Sequence, residues 1–143
     1  MAFDKVSYRE SLEYYENSLK MFNELDDKEH VGIANLQTAK AMIMLNRKST
    51  EILSRLNAAE MIFLELGWLE GQANVHEQMA VFYSRLVNRT TTGARRNELL
   101  DRAISAITRS RTIFTRIDNQ KRLGRAEAIL EDLKMRRERQ IAG

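Results

Sequence analysis

The sequence predicts an all-α fold in which about six antiparallel helices repeat in pairs as a short α-solenoid. Three observations carry that expectation. The 143 residues include no proline, no cysteine and only six glycines. Average usage would supply roughly seven prolines, so the chain lacks the punctuation of hairpins, sandwiches and Gly-rich phosphate loops. Apolar residues recur at helical spacing, as at Leu12, Tyr15, Leu19, Phe22 and Leu25. The pattern also repeats: residues 11–22 lie over residues 52–63 at an offset of 41, and these lie over residues 103–114 at a further offset of 51.

The elements follow in order. A first helix over about 4–25 carries the first stripe, and Asp26-Asp27 turns the chain into a second helix over about 28–46, with Asp27 as its N-cap. A third, over about 49–66, repeats the stripe through Leu53, Leu56, Phe63 and Leu66 and ends at Gly67-Trp68. The fourth covers about 69–87. The ten extra residues of the last copy fall in the polar stretch 87–96, which reads as a loop insertion. A fifth helix, about 96–117, carries Ile104, Ile107, Phe114 and Ile117; Asp118 caps the sixth, about 120–140. Leu25, Leu66 and Ile117 coincide in register, as do Gly32, Ala73 and Gly124. Helices that repeat their contacts stack rather than close into a globule, and the length suits one domain. The chain opens on what reads as the second helix of a pair. Tyr8, Tyr14, Leu19 and Met21 are therefore expected half covered at an N-terminal edge, to be met by further chain or by another copy.

The formal charge of +3 hides a gradient. Residues 1–30 hold four Lys/Arg against eight Asp/Glu, residues 31–84 four against five, and residues 85–143 fifteen against seven. Thirteen of those last fifteen are arginine, which favours a partner at the basic end or end-to-end contact between copies. No apolar stretch approaches the ~20 residues a bilayer crossing needs, and no apolar leader follows Met1. The expected location is cytoplasm or nucleus, with no membrane.

Chemistry finds little support. His30 and His76 form no metal-binding pair, and without cysteine no metal site and no cofactor are expected. No nucleophile–base arrangement and no phosphate loop occur, so the chain reads as a non-enzyme with no catalytic residues. Asn88-Arg89-Thr90 matches a glycosylation acceptor by accident, and Trp68 reads as a lid on a local core.

The stripes have a further regularity. Ser11, Tyr15, Ser18 and Phe22, then Ile52, Leu56, Ala59 and Phe63, then Ala103, Ile107, Ser110 and Phe114 resemble the second helix of a tetratricopeptide repeat. Thr38-Ala39-Met42 and Met79-Ala80-Tyr83 resemble its first helix, whereas Leu130-Glu131 departs and the repeat's Trp and Pro positions are unfilled. Leu66-Gly67 followed by Glu70-Gly71-Gln72-Ala73 is similar to the longer, roughly forty-residue version of that repeat. The ten-residue expansion loosely resembles the C-terminal repeats of the fifth subunit of the anaphase-promoting complex. The resemblance implies a right-handed solenoid that binds a peptide or partner protein as a scaffold within a larger complex. It also implies a groove lined by the first helices, with Gln37, Lys40 and Met44, then Asn74, Gln78 and Arg85, then Arg125. The amides would meet a peptide backbone and the cations its acidic groups.

Arg95, Arg102, Arg109 and Arg116 recur every seven residues and form a basic flank beside the fifth helix's apolar stripe. Three readings stand: arginines paired with Asp101, Glu98 and Glu138, an acidic protein surface, or nucleic acid or anionic lipid. Aromatic residues for base stacking are missing from residues 85–143 apart from Phe114, which makes nucleic acid the weakest.

Overall fold

A computed structural model describes residues 5–142. Among the described residues there is no strand. Six helices follow one another, each packed against neighbours: α1 (Lys5–Glu24), α2 (Lys28–Met44), α3 (Ser49–Glu65), α4 (Leu69–Asn88), α5 (Gly93–Arg116) and α6 (Gln120–Ala142). The expected start of the first helix, residue 4, lies outside the described residues. The chain divides into two compact units, residues up to 71 and residues from 72 on, with the boundary inside α4.

In the first unit α2 is buried on most of its circumference, through Ala34, Leu36, Ala39, Met42 and Ile43 among others. A helix apolar all round needs neighbours on several sides, and α1 and α3 both pack on it. The tightest seat is at Phe63. A Cβ added to Gly32 would stand 2.6 Å from Phe63 Cε1 and 3.0 Å from Ile62 Cγ2, and one on Gly71 would stand 2.7 Å from Phe63 Cγ. Two glycines thus hold a fully buried ring, and Trp68 closes it edge-on with 5.0 Å between centroids. The second unit has one core, in which Ala73, Ala80 and Val87 of α4 join Leu99, Ile107 and Phe114 of α5 and Ala126, Leu130 and Leu133 of α6.

Four helix ends are built alike. Asp26, Asn46, Gly67 and Asp118 have positive φ, between 53° and 65°. In each case this residue's N–H bonds back three residues and the next N–H bonds back five, as in Asp26 to Asn23 O and Asp27 to Phe22 O. These are Schellman turns. They correct one expectation: Asp118 takes the left-handed position, and the cap of α6 is Asn119, whose Oδ1 accepts from Arg122 N at 3.1 Å. Asp27 does cap α2, accepting from His30 N.

The loop expected over 87–96 is mostly helix, and only residues 89–92 stand outside. Val87 occupies the register position of Asn46, and a β-branched residue resists positive φ, so α4 runs past the point where α2 stops. The inserted residues instead lengthen α5 to 24 residues against 17 in α3. Arg96 bridges the break by donating to Val87 O and Thr90 O at 2.7 and 2.9 Å.

Candidate functional site

In the first unit, Gln37, Lys40 and Met44 share one face of α2 at helical spacing; Lys40 is exposed and the other two are half-buried. In the second unit Asn74, Gln78 and Arg85 lie on α4 and Arg125 lies on α6. The focus there is Glu77, only 1% exposed. Arg122 Nη1 lies 3.6 Å from Glu77 Oε2 and Arg125 Nε 3.6 Å from Oε1. These are ion pairs, too long for good hydrogen bonds. A carboxylate so buried needs the compensating charge. Arg125, expected to await an acidic ligand, is thereby already steered by an internal one, with more than half of its side chain left in solvent.

The amide ladder expected for a peptide backbone is also altered. Gln78 is buried, and Asn74 Oδ1 is buried without a hydrogen-bond partner. One turn beyond Asp132, Arg136 donates to Ser84 Oγ and Asn88 Oδ1, each at 2.7 Å. Glu77 had a signal in the sequence: it stands in register with Leu36, itself buried. Arg136 had one too, since it stands in register with Arg85.

The basic flank is unequal along its length. Glu98 receives Arg95 at 3.0 Å and Arg102 at 2.9 Å. The Arg95 guanidinium, helped by Arg102, holds the Glu98 carboxyl below the usual carboxylate range. Arg102 also sits 6.0 Å from the Tyr83 ring centroid, the outer limit of a cation–π contact. Asp101 engages Arg137 of α6 at 2.8 Å instead of the flank. Arg109 and Arg116 are exposed and make no ion pair with the described residues.

Two clefts open in the first unit. One, of about 410 Å³, is lined by Glu16, Met42, Thr50, Glu51, Ser54 and Arg55. The other, of about 190 Å³, lies between α1 and α2, where His30 stacks on Phe22 at 4.9 Å. Among the described residues no three His, Cys, Asp or Glu are grouped to hold a metal ion, and no helix is long and apolar enough to cross a membrane.

No protein-family model matches this sequence, and a search of curated proteins finds no relative.

Proposed function

We propose that the chain is a non-enzymatic protein-interaction module of the cytoplasm or nucleus. In this reading it is a short right-handed α-solenoid of antiparallel, tetratricopeptide-like helix pairs that holds an acidic peptide or partner protein within a larger complex. The observation that carries it is the anchoring of α6 arginines on α4. Arg122 and Arg125 are set by the buried Glu77, and Arg136 by Ser84 and Asn88. A guanidinium has five donors, and Arg136, hydrogen-bonded at one edge, presents the rest at little further entropic cost. A carboxylate-bearing ligand meets them in geometries suited to two-point hydrogen bonding.

Fluorescence anisotropy with a labelled glutamate-rich peptide tests this. Arg125→Ser with Arg136→Ser is expected to weaken binding about tenfold, roughly 1.4 kcal/mol, while Arg109→Ser with Arg116→Ser leaves it unchanged. Peptide binding that responds only to the second pair would move the site to α5, and no binding at low salt would end the reading. A labelled oligonucleotide in the same assay addresses the nucleic-acid alternative, which is disfavoured because Glu98 engages two of the flank arginines and offsets one of their charges.

A further inference from the structure

The three stripes that coincide in the sequence are covered unequally. Ile52, Leu56, Ala59 and Phe63 of α3 are 0–1% exposed, and Ala103, Ile107, Ser110 and Phe114 of α5 are at 0%. Ser11, Tyr15, Ser18 and Phe22 of α1 remain half exposed. Beside them Tyr14 is 66%, Met21 49% and Leu25 67% exposed, and the 190 Å³ cleft opens onto Tyr15 and Phe22. Contiguous exposed apolar surface of this kind marks an interaction site.

The missing cover has a counterpart elsewhere on the chain. Phe63 and Ile62 are covered by α2 at Gly32, where backbone meets ring with no room for a Cβ. The residue in register on α4 is Ala73, in the same core as Phe114. The residue in register on α6 is Gly124, which is exposed, and a Cβ added there meets nothing within 4 Å. So α1 carries a stripe without its covering helix, and α6 carries a covering notch without a stripe.

Polarity and charge match as well. Ser11 and Tyr15 place hydroxyls where α3 has Ile52 and Leu56, and α6 places the carboxylate of Glu131 where α2 has Ala39. Residues 5–30 hold four Lys/Arg against seven Asp/Glu, whereas α6 holds seven against four. Ends of opposite sign attract each other and repel their own kind.

We propose that α6 of one copy docks on α1 of the next, with Gly124 seated on Phe22 and Met21 as Gly32 is seated on Phe63 and Ile62. The contact joins two different surfaces, so it does not stop at a dimer; each added copy presents a fresh α1 or α6, and growth ends only in a ring or a filament. Because the attraction is partly between net charges exposed to solvent, it weakens with salt.

Sedimentation velocity of the full chain over a concentration series is the test. The expected result is a mean mass that rises beyond that of a dimer and falls back when salt is raised from about 50 to about 500 mM. Met21→Glu and Gly124→Trp each raise the dissociation constant about tenfold or more. Both sites are exposed, so circular dichroism of each variant stays that of the parent. Mixed together, the two variants form a one-to-one pair and nothing larger, because each retains the surface the other lacks. A parent chain that stays monomeric throughout overturns the proposal and assigns the α1 stripe to a helix from another polypeptide or another stretch of a longer one. A dimer that responds to Met21→Glu but not to Gly124→Trp overturns it in favour of α1 pairing with α1.

Discussion

Gly32 and Gly124 occupy the same place in the repeat register and both lie within helices, yet replacement by alanine should act on them with opposite sign. Each substitution gains helix propensity, about 1 kcal/mol for Gly→Ala in a helix interior. At Gly124 the new methyl meets nothing within 4 Å, so the gain stands alone. For a chain of this length that corresponds to a rise in Tm of about 3 °C. At Gly32 the methyl would stand 2.6 Å from Phe63 Cε1. The ring is fully buried, and Gly71 and Trp68 bound it on other sides, so it has nowhere to retreat. Overpacking costs about 1–3 kcal/mol, and at 2.6 Å from a confined ring the upper part of that range, about 2–3 kcal/mol, applies, so the propensity gain is outweighed and a net loss of about 1–2 kcal/mol is left. The assay is urea or thermal denaturation followed by far-UV circular dichroism at low protein concentration, with Trp68 fluorescence as a second probe beside Phe63. A Gly32→Ala chain as stable as the parent would refute the seat between α2 and α3, and a destabilised Gly124→Ala would mean that something already covers α6.

The remaining predictions concern charge and turns. Replacing both Arg122 and Arg125 by methionine strands the buried Glu77 carboxylate and should cost about 3 kcal/mol at neutral pH by urea denaturation. A double variant as stable as the parent would refute the pairing. Adding Glu77→Leu to it should restore most of the loss. Glu98→Gln should strengthen binding of a polyanion to α5 and steepen its salt dependence, because it releases Arg95 and Arg102 together; unchanged anisotropy would mean that the flank binds nothing. Gly67→Ala should cost ~1 kcal/mol and Asp26→Gly should gain a similar amount, since only the backbone term changes at these left-handed positions; equal melting curves would contradict the turn assignment.

Much of the helical plan was legible because the repeat supplies its own alignment. Phe22, Phe63 and Phe114 line up, and so do Leu25, Leu66 and Ile117, which close the helices before three of the four turns. The structure departs from expectation where residue type and register point to different residues. Asp118 and Asn119 are both capping residues by type, and type alone cannot rank them. Register does, because Asp118 lies over Gly67, the residue best suited to positive φ. The stretch 87–96 is polar, which favours loop, yet Ala94, Arg95 and Arg96 are good helix formers, and Arg96 satisfies carbonyls at the end of α4. The division of the chain had no signal at all, since it falls within a continuous helix with no linker composition. At the candidate site the arginines were visible, but not their internal partner. Glu77 is a charged residue at a position where Leu36 is buried, and composition treats such a residue as solvated until its neighbours on α6 are known.

The four Schellman turns bear on how the chain acquires its structure. Each is closed by hydrogen bonds spanning no more than five residues, so every reversal is decided locally and little loop entropy opposes it. Proteins dominated by such near contacts fold quickly and have little need of a long-range nucleus. They also open in parts, each part with its own free energy. A defect at Asn46 or Asp118 is then expected to quicken amide exchange in the two helices it joins while distant amides keep their protection. Damage to this chain would be local and graded, and a cell would meet it as a frayed segment before it met an unfolded protein.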